Sequence, residues 1–281
     1  MRQEIIDLYD AFTHGTMGRR AFMDRLARIA GGAAAATALL PLLENNYAHA
    51  AIVPANDKRL SISTATFDDV TAYHAKPKAE SILPAIIVIH ENRGLNPHIE
   101  DVARRVAVEG FHAFAVDMLS SIGGTPEDSD EARTMIGTLD NDETVARLKQ
   151  IVSSLAMVKT HQRKVGAVGF CWGGGMVNAL AAATPDLGAG VAYYGRQVSA
   201  EDAAKIKASL MLHYAGEDAR INAGIPDYQA ALDAAGVDYQ LHLYEGAQHA
   251  FNNDTNEARY NKQAADLAWS RTIAFFKEKL A

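Results

Sequence analysis

Cys171 is the only cysteine of this 281-residue chain, and it lies in the glycine-rich run GFCWGGG at residues 169–175. The apolar residues 165–168 before this run predict a buried strand, and residues 176–183 after it predict a helix. This is the pattern of a nucleophile elbow, with Cys in the place that Ser takes in G-x-S-x-G enzymes. A lone cysteine forms no intrachain disulfide. The run therefore indicates a reactive thiol, and the alternative is a small buried hydrophobe at an ordinary turn.

Two further polar residues follow predicted strands and could act with that thiol. Asp218 comes after the strand predicted at residues 210–214, and His249 comes after the strand predicted at residues 239–244. A thiol with a pKa of about 8.5 is only partly ionised at neutral pH, so an imidazole must take its proton. A carboxylate must then orient the imidazole. We therefore predict a triad of Cys171, Asp218 and His249, although Asp218 could instead cap a loop, with Glu217 as its nearest competitor.

The chain from residue 57 onward alternates between predicted strands and helices. Strands are expected at 60–67, 70–74, 85–89, 112–116, 165–168, 191–194, 210–214 and 239–244, and helices at 99–109, 142–158, 176–183, 225–235 and 256–279. This alternation predicts one α/β domain over 57–281, with a mostly parallel sheet and helices on both faces. The active residues of such sheets collect at the carboxyl ends of the strands. The connection at 118–142, rich in Ser, Gly, Thr and acids, is expected to form part of the cleft wall.

Residues 1–50 differ from the rest in composition. The arginine pair at 19–20, a weakly apolar stretch and the small-x-small site Ala48-His49-Ala50 resemble a twin-arginine export signal cleaved after its last residue. However, residues 1–17 suggest an amphipathic helix, and Glu44 places a negative charge near the cleavage site. One expectation is export to the periplasm. The other is a cytoplasmic protein that retains a helical extension, packed on the domain or on a neighbouring subunit of a homo-oligomer.

The composition and motifs of the chain indicate which classes of partner are excluded. With 48% hydrophobic and 22% charged residues the chain is an ordinary globular protein, and its net charge of −7 argues against nucleic acid as a partner. No apolar run has the length and purity of a membrane-spanning helix. No Cys/His cluster has zinc spacing, and the glycines at 173–175 lack the flanking residues of a dinucleotide or phosphate loop. We therefore expect no metal, no organic cofactor and a small-molecule substrate.

From about residue 60 to its end, the chain resembles the dienelactone hydrolase (carboxymethylenebutenolidase-like) family of α/β-hydrolases. The resemblance rests on GFCWGG at 169–174, GED at 216–218, GAQHAF at 246–251 and HENRGL at 90–95. The four motifs together are specific, whereas any one of them alone is weak. The resemblance implies an α/β-hydrolase fold.

The resemblance also assigns roles to individual residues. It implies that Cys171 is the nucleophile, that Asp218 orients the imidazole and that His249 is the base. Glu91 matches a glutamate that pairs with the thiol in the resting family enzymes and moves when substrate arrives. The backbone amides of Asn92 and Trp172 are expected to form the oxyanion hole. This assignment also follows from the fold, in which the first loop and the residue after the nucleophile supply these donors.

Together these features predict a cysteine-dependent hydrolase of small esters or lactones that acts through a thioester acyl-enzyme. The alternative is a non-catalytic protein of the same fold whose Cys171 thiol senses oxidants. The lactone hydrolases carry an arginine shortly after the catalytic histidine, but here residues 252–254 are Asn, Asn and Asp. Arg93, Arg196 and Arg220 follow predicted strand ends and are candidates to bind a substrate carboxylate instead. We expect at least one of them in the cleft, with Arg93 first.

Overall fold

The computed structural model describes residues 1–15, 17–47, 52–79, 82–158 and 161–281, and the strands of these residues form one sheet of eight. The strands are β1 (Leu60–Phe67), β2 (Val70–Pro77), β3 (Leu83–Ile89), β4 (His112–Asp117), β5 (His161–Phe170), β6 (Leu187–Tyr193), β7 (Ser209–Ala215) and β8 (Tyr239–Tyr244). Their order across the sheet is β1-β2-β4-β3-β5-β6-β7-β8. Strand β2 pairs antiparallel with β1 and β4, and every other pair is parallel. The carboxyl ends of β3 to β8 therefore lie along one edge of the sheet.

Helices precede the sheet and connect its strands. They are α1 (Gln3–His14), α2 (Arg19–Ala30), α3 (Ala33–Leu43), α4 (Pro97–Val108), α5 (Ser129–Ile136), α6 (Asn141–Met157), α7 (Trp172–Ala183), α8 (Ala200–Ala203), α9 (Ala219–Asn222), α10 (Ile225–Ala235) and α11 (Lys262–Lys279). Several of them begin at a side-chain cap. Asn96 accepts hydrogen bonds from the first turn of α4, and Asp140 accepts one from Glu143 in α6. Such caps satisfy backbone N–H groups that have no intrahelical partner.

The sheet is buried on both faces because successive residues of a strand point to opposite sides. In β3, Ile86 and Val88 belong to the apolar cluster that includes residues of α4 and α11. Their neighbours Ile87 and Ile89 belong to a second cluster with residues of α6, α7 and α10. This arrangement confirms the predicted layering, and the topology is that of the α/β-hydrolase fold.

One prediction about an element, the start of the closing helix, needs correction. The closing helix begins at Lys262 rather than at residue 256, because the side chain of Asn261 caps it by accepting from Ala264 N–H. Residues 257–259, which we expected to be helical, form a turn. Helix α5 lies inside the connection at 118–142, for which we predicted no helix. Asp128 caps it by accepting hydrogen bonds from the N–H groups of Asp130 and Glu131.

Helices α1 to α3 form a compact unit, which we call the N-terminal cover. Its apolar side chains pack mainly on one another, and the buried members of this apolar cluster are Ile5, Leu8, Tyr9, Phe12, Phe22, Leu26, Ala36 and Leu43. Gly31 and Gly32 join α2 to α3 with φ angles of 87° and 148°, which L side chains rarely adopt. No single helix of the described residues is long and apolar enough to cross a membrane. Helices α2 and α3 together have the length and apolar composition of a membrane span, but they are bent by 110° relative to each other.

The small-x-small site at residues 48–50, on which the export prediction depends, lies outside the described residues.

Candidate active site

Cys171 lies at the sharp turn between β5 and α7. Its φ and ψ angles are 55° and −113°, and its N–H donates to the Tyr193 carbonyl of β6 at 3.0 Å. A β-carbon at Gly169 would lie 2.1 Å from the Gly173 carbonyl oxygen, and one at Gly173 would lie 2.4 Å from the Ile89 carbonyl oxygen. Only glycine fits at these two positions, so the turn has the strained geometry expected of a nucleophile elbow. The cysteine is 8% exposed.

Asp218 and His249 meet at the same edge of the sheet. His249 Nδ1 donates to Asp218 Oδ2 at 2.5 Å, and both side chains are buried. The other oxygen, Asp218 Oδ1, accepts from Ile221 N–H at the start of α9. Asp218 therefore both orients the imidazole and caps a helix, whereas its competitor Glu217 is exposed. His249 Nε2 is buried and has no hydrogen-bond partner among the described residues.

A second histidine, which we did not predict, contacts the thiol. His14 is the last residue of α1, and its Nε2 lies 3.1 Å from Cys171 Sγ. Its Nδ1 lies 3.0 Å from Asp10 Oδ1, one helical turn earlier. The His14 ring also packs edge-on against the His249 ring, with 4.5 Å between the ring centroids. The sulfur is thus flanked by two Asp–His pairs, one from the sheet edge and one from the N-terminal cover.

The charges of this cluster favour an ionised thiol. Burial alone would raise the pKa of Cys171, but the positive charges of His14 and then His249 outweigh it and lower the pKa to about 6. Burial would lower the pKa of His249, but the thiolate and the hydrogen bond to Asp218 raise it. The pKa of His14 is also raised against the effect of burial, mainly by the charge of Cys171. The site therefore stabilises a thiolate beside imidazolium groups.

Glu91 lies at the same cavity as the thiol but bonds to other residues. Its Oε2 accepts from Asn253 Nδ2 at 2.7 Å, and its Oε1 accepts from the Tyr194 hydroxyl at 3.4 Å. The pairing of Glu91 with the thiol that the resemblance implied is not seen, and His14 contacts the sulfur instead. Asn253, which we noted only as a departure from the family pattern, holds this carboxylate in place.

Replacing Glu91 with glutamine removes one negative charge from the cavity and keeps an oxygen that Asn253 can bond. We expect a lower thiol pKa and faster alkylation of Cys171 by iodoacetamide, by less than about tenfold because the carboxylate is bonded to other groups. The pH dependence of the alkylation rate measures both quantities. A slower or unchanged rate relative to the parent would contradict this expectation.

The two residues predicted for the oxyanion hole lie beside the elbow. Trp172 is the first residue of α7, where a backbone N–H has no acceptor within the helix. Asn92 follows the end of β3, and its side chain donates to the Thr13 carbonyl of α1 at 2.9 Å. The contact with Thr13 joins this loop to the N-terminal cover, and the oxyanion role of the two backbone amides stays a prediction.

The three candidate arginines have different surroundings. Arg93 is buried and lines the cavity that contains Cys171, as we expected, and its Nη1 donates to Asp130 Oδ1 at 2.7 Å. Arg220 lies 3.6 Å from Asp10 Oδ2 and is about half exposed, and Arg196 is exposed.

Arg259 was missed by the sequence analysis. It is 7% exposed, lines the same cavity and packs over the Tyr9 ring at 5.1 Å. Its Nε has no hydrogen-bond partner among the described residues. The sequence does have an arginine after His249, but it lies ten residues beyond that histidine, in a segment that we predicted to be helical.

Two neighbouring cavities differ greatly in size. The cavity beside Cys171 has a volume of about 20 Å³ and is lined by Tyr9, Thr13 and His14 of α1 together with residues of the sheet edge. A larger cavity of about 700 Å³ lies between α1, Arg93 and α5, so the 118–142 connection does form a wall as predicted. Tyr9 and Arg93 line both cavities.

The same cluster is the candidate metal-binding group within the described part of the chain. The donor atoms of His14, Cys171 and His249 lie within 4.8 Å of one another, close enough to share one ion. Two imidazoles and a thiolate are ligands that zinc accepts. These are also the groups of the predicted nucleophile and base, so an ion bound there would compete with their chemistry. Our expectation of a metal-free enzyme stays a prediction.

Comparison with known proteins matches most of the chain to one family. Residues 70–280 match the family model of the dienelactone hydrolases, and residues 1–32 match a separate model described as YqhI-like. A protein predicted to be a carboxymethylenebutenolidase from Saccharolobus solfataricus is 32% identical over 244 residues, covering 74% of this chain and 93% of the relative. "Protein usf" of Aquifex pyrophilus is 36% identical over 219 residues, covering 75% and 94%.

A solved structure supports the same assignment. The crystal structure of a predicted dienelactone hydrolase from Klebsiella pneumoniae superposes with a TM-score of 0.70 and 29% identity, covering 78% of this chain and 98% of that one. The region that matches the family model contains strands β2 to β8 and the elbow, as well as the loops with Asp218 and His249. The chain therefore belongs to the dienelactone hydrolase family of α/β-hydrolases, enzymes that hydrolyse lactones and esters.

Proposed function

We propose that the protein hydrolyses small esters or lactones with Cys171 as nucleophile, Asp218 and His249 completing the triad. The observation that carries this proposal is the elbow turn, which presents the sulfur to an imidazole that Asp218 orients at 2.5 Å. The donor atoms of Cys171 and His249 lie within 4.8 Å of each other. The family membership favours hydrolysis over the oxidant-sensing alternative.

The reaction follows from the properties of these three groups. The Cys171 thiolate attacks the carbonyl carbon of the substrate, and the C–O bond to the leaving alcohol then breaks. Imidazolium at His249 supplies the proton that the alkoxide needs, which leaves a thioester on Cys171. Neutral His249 next takes a proton from water, the hydroxide attacks the thioester, and the acid is released as the thiolate re-forms. A lactone opens in the first step, so its alcohol and acid stay in one molecule.

The charge that develops on the carbonyl oxygen needs donors close to the elbow. The Trp172 N–H at the start of α7 and the Asn92 N–H after β3 are the donors that we assign to it. Backbone donors held by a rigid turn stabilise the oxyanion without reorganising during the reaction. The strained backbone of Cys171 holds the following residue, Trp172, at the start of α7, where its N–H can serve as such a donor.

The acyl-enzyme provides a direct test of the mechanism. The full-length protein mixed with 4-nitrophenyl acetate and quenched early should gain the mass of one acetyl group, and peptide mapping should place that group on Cys171. The His249→Ala variant should retain the acetyl group for longer, because the base that activates water is missing. Turnover without any adduct in either protein, or an adduct on another residue, would contradict the proposed role of Cys171.

We further propose that Arg259 and Arg93 favour anionic substrates. Both guanidinium groups line the cavity at Cys171, and Arg259 Nε lacks a partner there. A carboxylate on the substrate would gain charge-assisted hydrogen bonds from these groups. Arg93 is already bonded to Asp130, so Arg259 is the better placed of the two.

Replacing Arg259 with glutamine should lower the preference for anionic esters. We expect the kcat/KM ratio of a 4-nitrophenyl hemiester of a dicarboxylic acid to 4-nitrophenyl acetate to fall by roughly tenfold. The ratio cancels any effect of the substitution on access to the site. Arg196→Gln, at an exposed position, is the matched control and should leave the ratio unchanged. Equal ratios in all three proteins would rule out a role for Arg259 in substrate preference.

A further inference from the structure

The N-terminal cover occupies the place where a substrate must stand. We propose that α1 is an intramolecular gate over Cys171, that His14 is its contact with the thiol, and that an ester reaches the sulfur only after α1 moves away. The proposal rests on the proposed function of Cys171. It extends that function by assigning a role to residues 3–14, which lie outside the part of the chain that matches the dienelactone hydrolase family.

Steric exclusion is the first argument for a gate. A carbonyl carbon must come within about 3 to 3.5 Å of the attacking atom. His14 Nε2 already lies 3.1 Å from the sulfur, and its ring packs on the His249 ring. The remaining cavity of about 20 Å³ accommodates about one water molecule, which needs roughly 10–15 Å³ of such space. No ester fits there while His14 is in place.

The chemistry of the contact is the second argument. The backbone carbonyl of Asp10 accepts from His14 Nδ1 at 3.1 Å, and Asp10 Oδ1 lies 3.0 Å from the same nitrogen. The Nε2 proton of an imidazolium held in this way is directed at the sulfur. An imidazolium bonded to a thiolate is a charge-assisted pair, so the closed state is specific to the ionised nucleophile. The resemblance assigned the resting partner of the thiol to Glu91. In this chain Asn253 and Tyr194 bond Glu91, and the partner is a residue of the N-terminal cover.

The other contacts of the N-terminal cover connect it to the loops that carry the site. Asn92, on the oxyanion loop, donates to the Thr13 carbonyl at 2.9 Å. Gln3 and Gln248 exchange two side-chain hydrogen bonds next to His249. Arg133 of α5 donates to the Phe12 carbonyl at 3.0 Å and lies 4.6 Å above the Phe12 ring. These contacts position α1 across the nucleophile, the base and the oxyanion loop at once.

The N-terminal cover can move as a unit because it has its own apolar core. Most of its buried apolar side chains form a cluster separate from the two clusters of the sheet, and within the described ranges Ala258 joins this cluster from the rest of the chain. Its bonds to the sheet edge are largely hydrogen bonds and ion pairs, which is typical of interfaces that open. Cleavage after residue 50, if residues 1–50 act as an export signal, would remove α1, α2 and α3 together. The gate would then be lost with the signal.

The test uses full-length variants that weaken the gate from each side. His14→Ala removes the contact with the thiol, and Arg133→Ala removes the contacts with Phe12 without altering a residue at the sulfur. Arg147→Ala is the matched control, because Arg147 of α6 pairs with Glu143 of the same helix and with Asp69 between β1 and β2, and none of these residues belongs to the N-terminal cover. The alkylation rate of Cys171 by iodoacetamide is measured on its high-pH plateau, where differences in thiol ionisation no longer contribute. The kcat/KM for 4-nitrophenyl acetate is measured in parallel.

Both gate variants should show plateau alkylation and ester turnover roughly tenfold faster than the parent, the effect of losing one hydrogen bond to a charged group. The Arg147→Ala control should match the parent. The pH midpoint of alkylation should also rise in His14→Ala, because one imidazolium has left the thiolate. Faster alkylation without ester turnover in any protein would support the gate and reject the proposed hydrolysis. Alkylation in both variants that is equal to or slower than in the parent would overturn the gate, whatever the ester activity.

Discussion

Replacing Cys171 with alanine should abolish ester hydrolysis, lowering kcat/KM by at least about 10⁴-fold. Alanine keeps the size and the backbone of the elbow close to native, and it removes the atom that forms the thioester. What remains is the binding and oxyanion stabilisation of the empty site, which gives only weak catalysis without a nucleophile. The measurement is steady-state hydrolysis of 4-nitrophenyl acetate at neutral pH, with the thermal unfolding midpoint recorded to show that the variant is folded.

The same substitution should be made in the His14→Ala background, where the proposed gate is weakened. If α1 limits the activity of the parent, the loss caused by Cys171→Ala is small in that background. In the His14→Ala background the starting activity is higher, so the full loss can be measured. Cys171→Ser provides a second comparison, because a hydroxyl keeps a nucleophile but ionises much less readily than a thiol. Activity of Cys171→Ala within a few-fold of its parent in both backgrounds would reject the cysteine mechanism.

Replacing Asp218 with asparagine should lower kcat by roughly 10²–10⁴-fold, with a smaller effect on KM. Asp218 accepts the Nδ1 proton of His249 and thereby leaves Nε2 free to exchange protons with the sulfur and with water. An asparagine amide can donate to Nδ1 instead, which selects the wrong tautomer. The loss of this carboxylate also lowers the pKa of His249, since their hydrogen bond helps to raise it. The thiolate–imidazolium pair should then form over a narrower pH range.

Glu217 provides the matched control for this prediction. It precedes Asp218 directly but is exposed, so Glu217→Gln should change neither kcat nor the pH profile. Because Asp218 Oδ1 also caps α9, the asparagine variant is preferred to alanine, since its side-chain oxygen can still accept from Ile221 N–H. A similar loss of activity in both variants would mean that general destabilisation, rather than the tautomer of His249, explains the effect.

The elbow and its partners were predictable because each is recorded in a short stretch of sequence. Only glycine fits at positions 169 and 173, because a β-carbon there would lie 2.1 and 2.4 Å from backbone oxygens. The spacing of Gly169 and Gly173 around Cys171 therefore indicates the turn directly. Asp218 and His249 each follow a strand, and parallel strands bring their carboxyl ends to one edge. The start of the closing helix could not be predicted in the same way, because the apolar pattern does not show that Asn261, rather than an earlier residue, is the cap.

By itself, the sequence determined the class of fold, the position of the elbow cysteine and the chain order of Cys171, Asp218 and His249, because these depend on local periodicity and on strand ends. Only the tertiary structure brought His14 to the sulfur and Arg259 into the same cavity. His14 is 157 residues from Cys171, and the amphipathic pattern of α1 shows that one face is buried without showing which surface covers it. Docking of a helix depends on the shape and polar groups of two distant surfaces, and the spacing of residues in the chain does not encode that match.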